Sequence, residues 1–381
     1  MTVASKLPNV GTTIFTVMSR LAAEHGAINL SQGFPDFDGP PPLLERVSHY
    51  LHNGHNQYAH MAGVPALREQ IARKAADLYG CPVDPETEVT VTSGATEALF
   101  CAITALVRPG DEVILFDPAY DSYQPAVDLC GGISRRLPLL APSFKPDWQR
   151  LRDSINDRTR LLVLNTPHNP SGSIWDASDI ETLRELVRNH DLYLLADEVY
   201  EHIVFDGRRH ESLLRYPDLY ARSLVVSSFG KTYHTTGWKL GYCIAPPALT
   251  LELRRIHQYV TFSSNTPIQF ALADYMAAAP EHALGLSDFY QAKRDHFCRL
   301  LQGSRFRFTP AAGTYFQLLD YSEISDENDV DLATRLTKEH RVASIPISVF
   351  YAEPPPTRLL RFCFAKDDRT LERAAEILCA L

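Results

Sequence analysis

Short runs of apolar and β-branched residues alternate along this chain with longer stretches in which apolar positions recur every three or four residues. The short runs predict strands at Glu88–Thr92, Glu112–Phe116, Leu161–Asn165, Leu192–Ala196, Leu224–Ser228 and Leu240–Ala245. Helical spacing covers Val64–Tyr79, Glu97–Leu106, Ser178–Asn189 and Pro267–Ala278. Such alternation predicts an α/β fold with a mostly parallel sheet covered by helices. From about Gly285 the pattern changes to a helical stretch, a strand at Tyr315–Leu319, a helix at Val330–Glu339, and strands near Ala343–Pro346 and Arg358–Ala365. The expectation is a large domain over residues 46–285 and a smaller α+β domain formed by 286–381 with the N-terminal segment 1–45.

Open α/β sheets bind ligands beyond the carboxyl ends of their strands, and polar residues gather at those ends here. Ser93-Gly94-Ala95-Thr96 follows the first run, Asp117-Pro118-Ala119-Tyr120 the second and Asn169 the third; Asp197 and Tyr200 follow the fourth and Lys231 the fifth. A lysine placed after a strand and before a small-residue turn is positioned to form a Schiff base, provided that burial beside another cation keeps its amine neutral. Lys239 is either that second cation or a point charge for a phosphate. The Ser93–Glu97 segment turns from strand to helix, so its N–H groups would face an anion, and Ser228 and Lys239 extend that cup. Taken alone, the segment reads equally well as an ordinary helix cap.

Asp197 ends an apolar strand, where an unpaired carboxylate is expensive; a protonated pyridine nitrogen or a protein cation would satisfy it. Tyr200 and Asn169 could donate to a phenolate oxygen on such a ring, and Tyr120 could stack on its face or pack in the core. Arg361, inside an apolar run, has the fork geometry for a substrate carboxylate, with an internal salt bridge as the alternative and Arg358 as the second choice.

Composition narrows the field. The formal charge of −9 argues against a nucleic-acid binder. The seven cysteines are scattered without a Cys-x-x-Cys pair, so neither a disulfide framework nor a metal site is expected. No apolar run approaches membrane-spanning length and no signal core is evident, so a cytoplasmic protein without a membrane partner is expected.

Several strings carry a family resemblance: Asn29–Phe37 (NLSQGFPDF), Asn56–Tyr58, Ser93–Ala98, Asn165–Gly172 (NTPHNPSG), Asp197–Tyr200 (DEVY), the segment around Lys231, and Arg361–Phe364 (RFCF). In that order the chain resembles the class I, fold type I pyridoxal-phosphate aminotransferases, within the branch of methionine aminotransferase, kynurenine aminotransferase and glutamine transaminase K. The resemblance implies that pyridoxal 5′-phosphate is the cofactor and that Lys231 forms the internal aldimine. It implies further that Asp197 pairs with the pyridine nitrogen, that Asn169 and Tyr200 contact the ring oxygen, and that Tyr120 stacks on the ring. Ala95, Thr96, Ser228 and Lys239 would hold the phosphate, although many relatives carry arginine where Lys239 stands. Arg361 would bind the α-carboxylate, and Gly33, Phe15, Phe262 and Phe350 would line the side-chain pocket. A homodimer is implied, with Tyr58 and Phe262 reaching the neighbouring protomer's site. The expected reaction passes an amino group from methionine, aromatic or similar amino acids to a 2-oxo acid by a ping-pong route. The rival reading is a cysteine-S-conjugate β-lyase working from the same site.

Overall fold

A computed structural model of the chain describes residues 3–381. Its strands are β1 Ile28–Asn29, β2 Val89–Thr92, β3 Glu112–Asp117, β4 Ile133–Pro138, β5 Thr159–Asn165 and β6 Tyr193–Asp197. They continue with β7 Ser223–Ser228, β8 Gly241–Ile244, β9 Phe316–Asp320, β10 Val342–Ala343, β11 Ile345–Pro346 and β12 Leu359–Cys363. Seven of them form one sheet in the order β2-β8-β7-β6-β5-β3-β4. Strand β8 runs antiparallel to both of its neighbours, and the other pairings are parallel.

The central strands are apolar on both faces because helices cover both faces. Every residue of β3 is buried, and β6 and β7 each have only one residue that is not. Strand β4 was not anticipated from the pattern. It lies at the sheet edge, and its Ile-Ser-Arg-Arg-Leu-Pro run alternates with solvent, so it lacks the apolar density of the interior strands. The helix Pro247–Val260 was also missed. Its inward face mixes Thr250 and His257 with Leu249 and Leu253, which thins the apolar periodicity.

A three-stranded antiparallel sheet, β11-β12-β9, and the two-stranded parallel pair β1-β10 make up the rest. The single strand expected near Ala343–Pro346 is therefore two. Val342 and Ala343 pair with the N-terminal Ile28 and Asn29, whereas Ile345 and Pro346 pair with Arg361 and Leu360. Leu30 ties this seam together by donating to Ala343 O (3.1 Å) and accepting from Cys363 N–H (2.8 Å). Among the described residues no helix is long and apolar enough to cross a membrane.

The strand that leads into Lys231, β7, is braced by a buried ion pair. Glu201 accepts from Lys74 Nζ at 2.6 Å and from Tyr242 Oη at 3.0 Å, and the hydroxyls of Tyr79 and Ser227 also donate to it. Burial pushes its pKa up, but Lys74, His202 and the Ser227 hydroxyl outweigh that and hold the carboxyl well below its usual range. The cluster joins the helix Pro65–Tyr79 to the turn after β6 and to β7 and β8. Lys74→Met would strand the Glu201 carboxylate, and we predict a loss of about 3–5 kcal/mol in urea unfolding, largely restored by adding Glu201→Gln.

Candidate active site

A cavity of about 190 Å³ opens at the carboxyl ends of β2, β5, β6 and β7. The structure brings nine of the sequence-predicted residues to its wall: Ala95, Thr96, Tyr120, Asn169, Asp197, Tyr200, Ser228, Lys231 and Lys239. They come from separate strand ends, as an open sheet requires.

Lys231 sits in a single helical turn, Phe229–Thr232, directly after β7. Its Nζ donates to Gly33 O at 2.9 Å and to Tyr315 Oη at 2.8 Å, and it lies over the rings of Tyr200 (5.5 Å) and Tyr315 (5.4 Å). Burial lowers its pKa to about 8, with Arg361 and Lys239 adding to the effect and Cys363 and Asp197 opposing it. The amine is therefore partly neutral near physiological pH, as a nucleophile or base must be.

Asp197 ends β6 and is buried. Its Oδ2 accepts from Tyr123 Oη at 2.6 Å and its Oδ1 accepts from Val199 N–H at 3.4 Å. Burial raises its pKa to about 6, against the lowering effect of Tyr123, the Val199 N–H and Lys231. Asn165 fixes the strand end by donating to Asp197 O at 3.0 Å, and its Oδ1 accepts from Asn169 N–H at 2.9 Å.

The helix Ala95–Leu106 starts at Gly94, whose φ of 80° suits glycine. Glu97 reaches back to accept from Ser93 N–H at 2.5 Å, which closes the turn and leaves the first helical N–H groups facing the cavity. Gly241 on β8 must be bare, since a Cβ there would stand 2.7 Å from Ala95 N. Lys239 is exposed, has φ 53°, and carries its Nζ to within 3.5 Å of where a Gly94 Cβ would stand. The helix terminus, Ser228 and Lys239 thus converge on one anion-sized position.

Arg361, on β12, is 1% exposed. Its Nη1 donates to Asn169 Oδ1 at 2.8 Å and its Nη2 to Ser31 O at 2.6 Å, while its buried Nε has no partner among the described residues. Burial lowers its pKa to about 10. No carboxylate forms a salt bridge with it among the described residues; Arg358 instead pairs with Asp326 at 2.8 Å. The guanidinium lies over Phe316 (3.9 Å) and Phe15 (5.2 Å), and Phe15 packs against Phe350 with centroids 5.6 Å apart. Gly33 belongs to the same corner, and a Cβ there would meet Phe316 Cζ at 2.8 Å.

Tyr58 and Phe262 stand outside the cavity wall. They pair edge to face on the surface with centroids 5.6 Å apart, 85% and 46% exposed. Sequence reasoning missed Tyr123, Asn165 and Tyr315. Tyr123 follows Tyr120 by one helical turn, which was the available hint, whereas Tyr315 looks like ordinary apolar filling beside a strand.

The sequence matches the family Aminotransferase class I and II over residues 25–378. It is 56% identical to methionine aminotransferase of Escherichia coli over 374 residues, covering 98% of this chain and 97% of that protein. It is 33% identical to kynurenine–oxoglutarate transaminase 1 of Rattus norvegicus over 411 residues, covering 98% and 97%. A crystal structure from Escherichia coli described as a methionine aminotransferase superposes with a TM-score of 0.98 at 55% identity, covering all of both chains. The chain belongs to the class I and II aminotransferases. It is an enzyme with the fold type I architecture, and pyridoxal 5′-phosphate is the family's cofactor.

The residues present fit that cofactor. Asp197 is a buried carboxylate whose hydrogen-bond partners are neutral, as a site for a protonated ring nitrogen requires. The glycine-lined helix terminus suits a phosphate, and Lys231 is a desolvated amine within the same wall.

The raised pKa of Asp197 has a thermodynamic consequence for the cofactor-free enzyme. Its folded-state value of about 6 lies above the ordinary carboxylate value, so the folded state holds the proton more tightly. Stability is therefore lost as pH rises towards about 6 and stays low above it. We predict that Asp197→Asn stabilises the cofactor-free enzyme at pH 8 by at most about 3 kcal/mol and has little effect near pH 4, as read from thermal melts.

Proposed function

We propose that this aminotransferase takes methionine and other amino acids with large apolar or aromatic side chains, and returns the amino group to a 2-oxo acid. The observation that carries this reading is the Arg361 corner: one guanidinium whose Nε has no partner among the described residues, lying over Phe15, which packs in turn on Phe350. A second cavity of about 640 Å³ adjoins it and shares Tyr120 with the first. Its guanidinium, Arg136, is engaged by Asp117, by Gln124 and by Phe350 O (2.8 Å). A side-chain carboxylate would meet no spare arginine there and would face Asp121, which lines the same cavity. The likeness to the Escherichia coli methionine aminotransferase supports the same choice.

When bound, the cofactor supplies an aldehyde for the amine and a ring that takes up the electron pair left on Cα. Lys231 anchors it and, once released, carries the proton taken from Cα. Asp197 keeps the ring nitrogen protonated, while Asn169 and Tyr200 orient the ring oxygen and Tyr120 covers one face. Ala95, Thr96, Ser228 and Lys239 hold the phosphate. Arg361 fixes the α-carboxylate and so aims the Cα–H bond, with Gly33 behind it.

The enzyme works, in this reading, as a homodimer in which Tyr58 and Phe262 complete the neighbouring protomer's site; their joint exposure supports this. Residues 1–45 and 286–381 would move as one body against 46–285, a division supported by the pairing of β1 with β10. A reducing, cytoplasmic setting suits its seven free thiols.

A single-turnover screen of amino acids against the holoenzyme, following loss of cofactor colour, tests the substrate class. Methionine and aromatic donors are expected to exceed aspartate and glutamate at least tenfold in rate over affinity, and parity would overturn the reading. Arg361→Ala should raise KM for methionine by about 100-fold, the cost of one charged contact, while cofactor affinity changes less than about threefold in equilibrium dialysis.

A further inference from the structure

Lys231 is held by two oxygens, and one of them belongs to a residue that no part of the reading above uses. Tyr315 is fully buried, immediately before β9. Its ring is boxed by Tyr200 (5.1 Å, 85°), Tyr290 (5.6 Å, 48°) and Phe316 (4.9 Å, 71°). Tyr290 is itself tied to His234 Nδ1 through its hydroxyl at 2.9 Å, and Tyr315 O accepts from Phe364 N–H at 3.0 Å. The phenol therefore has little freedom to swing.

Against a protonated Lys231, which has no acceptor, the hydrogen-bond roles are fixed. Tyr315 Oη donates its one proton to Gly33 O at 2.6 Å, so towards Lys231 Nζ, 2.8 Å away, it can only accept. Burial and its neighbours push its pKa well up, so it stays a phenol. Gly33 O also can only accept, and it lies 2.9 Å from the same Nζ. The two acceptors are only 2.6 Å apart, so they lie on one side of the nitrogen. While the phenol proton stays on Gly33 O, neither offers a proton to the amine, and the lone pair left when the ammonium gives up its outward proton lies on the other side. Gly33 cannot drift to relax this triangle, because its Cα packs too closely on Phe316 to carry a Cβ.

We propose that Tyr315, with Gly33 O, is a dock for the Lys231 amine during the steps in which the lysine is released, and that it keeps the nitrogen's lone pair turned to the substrate. Tyr315 is a positioning residue in this scheme: it acts on the proton-carrying nitrogen rather than on the substrate. The dock tolerates both protonation states, since the ammonium gains from the faces of Tyr200 and Tyr315. A base that must pick up a proton and return it within one turnover needs that tolerance. The proposal rests on the reading of Lys231 as the anchoring lysine.

Tyr315→Phe removes one oxygen and keeps the ring. In the cofactor-free full-length protein, the pH dependence of Lys231 acylation, read by peptide mass spectrometry, should move to lower pH by about half a unit to one unit. The ammonium loses a charge-assisted acceptor that matters less to the amine. In the holoenzyme, kcat for methionine should fall about tenfold with KM within twofold, and α-deuterated methionine should show a larger isotope effect than in the parent. Replacement of Tyr315 by 3-fluorotyrosine, which preserves packing, should give changes in the same directions but smaller, and serves if the phenylalanine variant folds poorly. Unchanged labelling and isotope effect in the variants would overturn the dock and leave Tyr315 as core filling. Lys231→Ala separates the two readings: if it retained transfer, the assignment of Lys231 itself would fall first.

Discussion

Three ionisable side chains, Lys231, Asp197 and Arg361, are withdrawn from water in one corner of the fold, and hydrogen-bond partners for all three are neutral groups. Burial is the leading cause of every shift: Lys231 falls to about 8, Asp197 rises to about 6 and Arg361 falls to about 10. The fold can compensate a buried charge fully when it does so for structure. Glu201, one residue beyond Tyr200, receives Lys74 and three hydroxyl donors. At the site it withholds such partners, which leaves the Asp197 carboxyl and the Arg361 guanidinium open to ligand groups of opposite charge.

The sheet makes that arrangement affordable. Strands β5, β6 and β7 end side by side, with β2 beyond the antiparallel β8, and each of the four delivers its last residue or the following turn to the same cavity without a long loop. The Asn165 and Asn169 side chains then link neighbouring strand ends to Arg361, which arrives from β12 in the separate antiparallel sheet. The strand end that carries Asp197 and the Arg361 fork are consequently held by one connected set of hydrogen bonds. A displacement of β12 would be felt at Asn169 first.

Much of this was legible in the chain because the chemistry sits where apolar runs stop. Asp197 and Lys231 stand out against Leu194-Leu195-Ala196 and Leu224-Val225-Val226, and a charge at the end of such a run is costly enough to need a reason. Strand β4 was not legible, since an edge strand needs only one apolar face and Arg135 and Arg136 are spent on Glu112 and Asp117. The helix Pro247–Val260 was hidden by His257, which is buried yet satisfied by Glu97 at 2.6 Å and Met61 O at 3.0 Å. Tyr315 and Tyr123 escaped for a different reason. A tyrosine in an apolar context reads as packing, and only its hydroxyl's partner, 282 positions away for Tyr315 and 74 for Tyr123, reveals more.

Lys239 shows how little the anion cup asks of any one side chain. It is exposed and presents a hydrated point charge, without the planar fork that an arginine would bring. Direction at this position must then come from elsewhere, and the fixed donors are the first N–H groups of the helix Ala95–Leu106, held by the Glu97 to Ser93 bond. Those donors cannot rotate, and the bare Cα of Gly241 lets β8 pack against them without a clash. In the proposed cup the backbone would set where an anion sits, and the lysine would add long-range attraction and charge balance. Lys239 also reaches Lys231, whose pKa it lowers as a smaller influence than burial and Arg361.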